Sequence, residues 1–107
     1  MVATIHESPS EPAGEGVTRK ILARGGGLMS VEVRFEEGAV GAVHTHPHEQ
    51  ISYVTEGRFE YTIDGEAFII ERGDSCYVAP NKPHGVKALT AGVLLDIFTP
   101  QREDFLK

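Results

Sequence analysis

From residue 17 onward, the chain is a series of short runs of alternating apolar and polar residues, separated by glycine turns. Val31, Val33 and Phe35 alternate with charged residues, which is the pattern of a half-buried strand. Asp64-Gly65 favours a hairpin, because a type I′ turn needs positive φ at both central residues. These patterns predict an all-β sandwich or barrel. The predicted strands cover residues 17–24, 31–35, 40–45, 50–55, 58–63, 67–71, 75–78, 86–89 and 93–99.

Length, charge and composition limit the classes of function open to the chain. Its 107 residues fit one domain, and no apolar run approaches the roughly 20 residues of a membrane helix. The net charge of −6 argues against nucleic acid as a partner. The sequence contains no secretory signal pattern, so the cytoplasm is the expected compartment. The single cysteine, Cys76, excludes an intramolecular disulfide and is predicted to be a small buried residue.

Residues 1–16 differ in composition from the remainder of the chain. They are rich in proline, serine, glutamate and glycine, which indicates a flexible N-terminal arm, either a loose tail or an arm laid on a neighbouring subunit. Residues 17–107 are predicted to form the single folded domain.

Three histidines and one glutamine form the main candidate site. His44 and His46 are two residues apart, so both imidazoles would point to the same face of a strand. Gln50 follows closely and His84 comes from a separate segment, which would complete a metal site. Such a shell is neutral, so a divalent ion keeps its full charge and attracts an anionic ligand. Imidazole ligands suit Zn, Ni, Fe, Mn or Cu, and the sequence does not choose among them.

The last predicted strand carries an aspartate between apolar residues. Leu94, Asp96 and Phe98 share one face of this strand, and both of its faces are largely apolar. Asp96 therefore needs a partner, and is either a structural residue or a titratable group facing the metal cavity. Arg102 is either a surface arginine or a clamp that binds a carboxylate through two hydrogen bonds.

Aromatic residues near these positions are candidates for the cavity wall. We predict that Phe98 and Tyr53 contact the substrate, with Tyr61 as the alternative to Tyr53 and ordinary core packing as the simpler role for each. His48 continues the alternating histidine series beyond Pro47. Its role stays open between a hydrogen bond to a ligand and exposure to solvent.

Two blocks of the sequence resemble the two motifs of the cupin superfamily. Gln50 stands where cupins ordinarily carry glutamate, while Lys82 replaces a usual glycine and Ala88 a usual asparagine. The resemblance implies a double-stranded β-helix, the cupin jelly-roll barrel, with a metal inside. The residues that carry the resemblance are Gly38, His44, His46, Gln50 and Gly57 in the first block, and Gly73, Pro80 and His84 in the second, whose spacing is slightly compressed.

Two segments, 44–54 and 95–106, are similar to the small single-domain cupins of the KdgF type, the pectin-degradation proteins. In that family glutamine is the norm at the position of Gln50. This resemblance implies metal-dependent opening of the ring of 4,5-unsaturated uronates from pectin or alginate breakdown, giving 4-deoxy-5-keto uronates. It places the catalytic cleft at Asp96, Phe98 and Arg102, of which Asp96 and Arg102 are the predicted catalytic residues. The implied metal ligands are His44, His46, Gln50 and His84.

Two other functions stay open, namely a metal-dependent dioxygenase and a non-catalytic sugar-binding module. The expected partner is a small anionic sugar acid, with neither nucleic acid nor membrane. We also expect a homodimer, because cupins of this resemblance usually dimerise and because a small sandwich gains from covering its exposed edge strands.

Overall fold

Ten β-strands and one short 3₁₀ turn make up the fold. The computed structural model describes residues 1–107. The 3₁₀ turn is Glu103–Leu106, and no helix is long and apolar enough to cross a membrane. The strands, β1 to β10 in chain order, are Ser10–Pro12, Val17–Gly25, Leu28–Phe35, Val40–His44, Glu49–Glu56, Arg58–Ile63, Glu66–Glu71, Ser75–Val78, His84–Ala88 and Gly92–Thr99.

The strands form two antiparallel sheets. The six-stranded sheet has the order β1-β2-β3-β10-β5-β8, and the four-stranded sheet has the order β4-β9-β6-β7. Strands far apart in the sequence, such as β3 and β10, are neighbours, as a jelly roll requires. The predicted all-β, jelly-roll architecture is confirmed.

Inward-facing residues of both sheets meet in the larger of two buried apolar clusters. Val54 of β5 is fully buried, whereas the adjacent Tyr53 is 43% exposed, because successive side chains of a strand point to opposite faces. Phe35 of the larger sheet packs edge-on against Phe59 of the smaller one, with ring centroids 5.3 Å apart. Cys76 packs against this core, and burial raises the pKa of its thiol to about 11. The core comprises Val17, Phe35, Val54, Phe59, Tyr61, Ile70, Val78, Ala88 and Leu94.

The turn between β6 and β7 is the hairpin expected from the sequence. Asp64 has a φ of 50° and Gly65 a φ of 84°, so both central residues are in the left-handed region. Ile63 and Glu66 are the first paired residues on either side of the turn. The predicted hairpin is confirmed.

Part of the segment before Val17 lies against the large sheet of its own chain. The short strand β1 pairs with β2, and Glu11 forms an ion pair with Arg19 at 2.6 Å. Lys20 Nζ donates a hydrogen bond to the carbonyl oxygen of Ile5 at 2.7 Å. The division into an arm over 1–16 and a domain over 17–107 stays a prediction.

The outer face of the large sheet exposes several large apolar side chains. Ile51 and Tyr77 are cross-strand partners on β5 and β8, and they are exposed by 47% and 54%. Contiguous patches of exposed apolar side chains are typical of contact surfaces. The homodimer stays a prediction.

Among the glycines, Gly57 in the turn between β5 and β6 leaves the least room for a Cβ atom. Its φ is +85°, and a Cβ atom there would lie 2.5 Å from the carbonyl oxygen of Ala91 and 2.7 Å from Gly92 Cα. Gly65 has a similar φ of +84°, but nothing lies within 4 Å of its Cβ position. The two glycines therefore separate the effect of backbone conformation from that of close packing.

We predict that Gly57→Ala lowers the free energy of unfolding by about 2–5 kcal/mol, the sum of a left-handed conformation and an overpacked contact. Gly65→Ala is the matched control and should lose only about 1–2 kcal/mol, because it carries the conformational term alone. Urea unfolding followed by circular dichroism measures both values. Equal losses in the two variants would show that the close approach at Gly57 does not matter.

Candidate metal centre and its cavity

Three histidine rings from neighbouring elements converge at one point. His44 ends β4 and His84 begins β9, and these two residues are cross-strand partners. One ring nitrogen from each of His44, His46 and His84 lies within 4.8 Å of the others. Gln50 Oε1 lies 3.0 Å from His46 Nε2. The structure thus brings the four predicted ligands together.

His46 reaches this point from a loop. Strand β4 ends at His44, so the expectation that both imidazoles project from one strand is wrong. The register of β4 with β9 is irregular just before His44, and the backbone N–H of Asn81 holds the carbonyl oxygen of His46 at 2.8 Å. This loop conformation brings the two ring centroids to 5.5 Å from each other.

Each of the three rings turns its Nδ1 atom toward a backbone carbonyl oxygen. An Nδ1–H donor in such a contact selects the tautomer whose Nε2 carries a free lone pair, which is how proteins commonly orient histidine ligands. The Nδ1 to oxygen distances are 2.8 Å from His44 to Ala42, 3.0 Å from His46 to His48, and 2.9 Å from His84 to Lys82.

The lone pairs that remain lack hydrogen-bond donors. His84 Nε2 is buried without a partner, and His46 Nε2 faces the oxygen of Gln50, which is also an acceptor. Burial lowers the pKa of His46, and it lowers the pKa of His84 to about 4, so both rings are neutral at pH 7. Converging lone pairs on neutral groups fit a cation. His44, His46, Gln50 and His84 would therefore hold a divalent metal.

A buried polar network holds the side-chain amide of Gln50. Its Nε2 donates to Ser52 Oγ at 3.0 Å and to Tyr61 Oη at 3.3 Å. Ser52 Oγ in turn donates to Asp96 Oδ1 at 2.6 Å. Ser52 is not among the residues predicted from the sequence, although its position two residues after Gln50 on β5 places it on the same inward face.

Asp96 is the acidic residue of this network. Burial raises its pKa to about 6, against hydrogen bonds from Ser52 and Gln50 and the charge of Arg102, which all lower it. A carboxyl group in this range is able to gain and lose a proton near neutral pH. Asp96 also lines the cavity beside the histidines.

A cavity of about 360 Å³ adjoins the candidate metal centre. This volume is typical of a pocket for a small organic ligand. Tyr53 does not reach the cavity, because it lies on the outward face of β5, whereas Tyr61 of β6 lines the cavity. The cavity lining contains six of the predicted site residues, namely His44, Gln50, His84, Asp96, Phe98 and Arg102.

Aromatic rings and an acidic neighbour hold Arg102 in the cavity wall. Its Cζ lies 5.1 Å from the ring centroid of Phe98 and 4.2 Å from that of Phe105. Its Nε and Nη2 donate to the two oxygens of Asp104 at 3.0 and 2.8 Å. Asp104 is not part of the cavity lining, so one edge of the guanidinium is held from outside while its Nη1 makes no hydrogen bond within the protein.

A second guanidinium, that of Arg19, lies in the same cavity wall and is not among the residues predicted from the sequence. Arg19 lines the cavity, and its Cζ lies 3.8 Å from the ring centroid of Phe105. No local pattern links Arg19 to the C-terminal turn.

His48 lies outside the cavity lining. Its Nε2 contacts the carbonyl oxygen of Gln101, the residue before Arg102, at 3.2 Å.

Comparisons with known proteins agree with this geometry. Residues 31–98 match the model of the family described as "Cupin domain". The chain is 46% identical to "Pectin degradation protein KdgF" of Dickeya dadantii over 102 residues, which are 94% of this chain and 93% of that protein. The chain is a KdgF-type cupin.

Solved structures similar to this cupin extend over almost its full length. An RmlC-like cupin from Shewanella frigidimarina has a TM-score of 0.93 at 40% identity and covers 97% of this chain and 94% of its own. KdgF from a Halomonas species has a TM-score of 0.93 at 36% identity and covers 98% and 97%. The Shewanella frigidimarina protein is thus similar in fold and sequence, and the Halomonas protein is also named KdgF.

We predict that this cupin gains stability from a divalent transition ion, because the ion binds the folded site and not the unfolded chain. At a free Ni²⁺ or Zn²⁺ concentration 100 times Kd, the gain in the free energy of unfolding is about 2.7 kcal/mol. His84→Ala, which removes a ligand, should show little or no gain at the same concentration. His6→Ala, at an exposed position in the N-terminal segment, is the matched control. Thermal unfolding with and without metal measures the effect, and an undiminished gain in His84→Ala would contradict the site.

Proposed function

We propose that this cupin is a metal-dependent isomerase that opens the ring of 4,5-unsaturated uronates from pectin or alginate breakdown and releases linear 4-deoxy-5-keto uronates. The name of the Dickeya dadantii relative supports a role in pectin degradation. The observation that carries the reaction is that Asp96 and Arg102 line the same cavity as three of the four candidate metal ligands, His44, Gln50 and His84. An acid–base group and an anion-binding group there meet the needs of a substrate that is itself an acid.

Two guanidinium groups line the cavity, and each also pairs with a carboxylate outside the lining, Arg19 with Glu11 and Arg102 with Asp104. Although the chain has a net charge of −6, the charged residues of the lining, histidines aside, are Arg19, Arg102 and Asp96. Arg102 has Nη1 free to donate to a substrate carboxylate, since Asp104 occupies only Nε and Nη2. Phe98 would pack against the sugar ring.

The proposed reaction rearranges bonds within the substrate and needs no co-reactant. Asp96 takes the proton of the anomeric hydroxyl, the C1–O bond to the ring oxygen breaks, and an aldehyde forms at C1. The ring oxygen leaves as an enolate at C5, and the proton returns to C4, so that a ketone forms at C5. A divalent metal at the site would supply Lewis-acid stabilisation of the negative charge that develops on oxygen.

Asp96→Asn tests the proton transfer. We expect the variant to retain metal binding, because the side-chain oxygen of asparagine can still accept the hydrogen bond from Ser52. We expect it to lose about a hundredfold or more in kcat, the usual contribution of general acid–base catalysis. The measurement is the loss of ultraviolet absorbance from the conjugated double bond of a 4,5-unsaturated monouronate, compared among metal-replete, chelator-treated and heat-killed protein. Full turnover by Asp96→Asn would assign the proton transfer to another group.

The same assay separates the proposed function from its two alternatives. Metal-dependent loss of absorbance above the spontaneous rate supports ring opening. Binding of the uronate without accelerated loss would indicate a binding module, and metal-dependent oxygen uptake would indicate a dioxygenase.

Arg102→Gln tests the carboxylate clamp. We expect its KM for the unsaturated uronate to rise by about 30-fold or more, because one partner of a desolvated charge pair is removed. Arg34→Gln is the matched control, since Arg34 lies on β3 and pairs only with Glu32 near the surface. Steady-state kinetics of both variants should separate them, and an unchanged KM in Arg102→Gln would place the carboxylate elsewhere.

A further inference from the structure

A buried serine connects the candidate metal centre to the candidate acid–base residue. Ser52 is 0% exposed, and on β5 it lies directly opposite Asp96 of β10. Its Oγ lies 3.0 Å from Gln50 Nε2 and 2.6 Å from Asp96 Oδ1. A hydroxyl in an apolar core is unfavourable unless it is hydrogen-bonded, and this one has partners on both sides.

The direction of each hydrogen bond in this chain follows from the chemistry of its groups. The amide nitrogen of Gln50 can only donate, and an ionised Asp96 can only accept. Ser52 therefore accepts from Gln50 and donates to Asp96. If the amide of Gln50 turned over, its oxygen would face a hydroxyl oxygen whose proton is already committed to Asp96, and two acceptors would meet.

We propose that Ser52 is a positioning residue that holds the Gln50 amide in the orientation that presents Oε1 to the metal centre, with Asp96 as its anchor. The inference rests on the metal-binding part of the proposed function and assigns a role to a residue outside the ligand set. Tyr61 Oη, 2.9 Å from Ser52 Oγ and 3.3 Å from Gln50 Nε2, braces the same arrangement.

This arrangement also gives a reason for glutamine at the position where cupins ordinarily carry glutamate. A carboxylate at position 50 has no N–H to donate to Ser52, so the serine would lose a partner. It would also add a second negative charge at the other end of the hydrogen-bonded chain that ends at Asp96, and like charges in a shared site disfavour each other. The carboxylate of this site is that of Asp96, which is linked to Gln50 through Ser52 and is not one of the candidate metal ligands.

A double-mutant cycle on metal affinity tests the coupling, with Ni²⁺ titrated calorimetrically into the metal-free protein. Ser52→Ala should weaken binding by about 10- to 100-fold, the usual effect of removing a group that orients a ligand. Gln50→Ala should weaken it at least as much. The double variant should be no weaker than Gln50→Ala alone, because Ser52 acts through Gln50. Ser75→Ala, exposed on β8, is the matched control.

A second cycle keeps Ser52 in place, so it does not depend on the folding of Ser52→Ala. Gln50→Glu should bind Ni²⁺ more tightly in an Asp96→Asn background than in the native one, because the competing charge is absent. Circular dichroism establishes that each variant is folded before titration. Additive losses in the first cycle would overturn the role of Ser52, and equal affinities in the two backgrounds would overturn the charge argument for glutamine at position 50.

The affinity measurements do not depend on uronate turnover. Tight Ni²⁺ binding with the expected coupling supports the inference even if the protein opens no uronate ring. Tight binding with an undiminished affinity in Ser52→Ala overturns the inference and leaves the proposed function intact. A native protein that binds no divalent metal overturns both.

Discussion

The candidate site depends on the pairing of β5 with β10. In this register Gln50 lies opposite Phe98, and Ser52 lies opposite Asp96. All four side chains face inward, and a slip of one residue would turn each strand's set outward. The register is well supported, because β10 is paired on its other side with β3, and β5 on its other side with β8. Which polar groups face the cavity therefore depends on the strand register of the sheet as well as on the identity of each residue.

Placing polar groups inside a small apolar core creates a conflict that the fold resolves only in part. Gln50 and Ser52 satisfy each other, and Asp96 accepts the proton of the serine. His84 Nε2 has no donor, and His46 Nε2 faces an oxygen acceptor. Buried acceptors without donors are unfavourable, and such exceptions concentrate at functional sites. His84 Nε2 and His46 Nε2 lie where a cation would bind, whereas His48 Nδ1, which is also buried without a partner, belongs to a residue outside the cavity lining.

Both ends of the chain contribute to the cavity wall. Arg102 follows the last strand, and the 3₁₀ turn that comes after it supplies Asp104 and Phe105 to hold its guanidinium. Phe105 also stacks on Arg19 of β2, whose Nε donates to Glu11 of β1 at 2.6 Å. The side of the cavity that carries Arg19 and Arg102, where we propose that an anion binds, is thus built from segments near both ends of the chain. These segments are distant in the sequence from the histidine cluster.

The sequence by itself determined the strand pattern from β2 to β10 and the Asp64-Gly65 hairpin, and it predicted that His44, His46, Gln50 and His84 lie together. The alternation of apolar and polar residues and the choice of turn residues depend on a few neighbouring positions, and the spacing of the ligand motif can be counted in the sequence itself. Local alternation did not apply at His46, because β4 ends before it.

Only the tertiary structure decided that Tyr61 and not Tyr53 lines the cavity, and that Ser52 joins Gln50 to Asp96. It alone brought Arg19 to Phe105. These contacts join strands and turns that are distant in the chain, and their pairing depends on the register of the whole sheet, which no short segment of the sequence specifies.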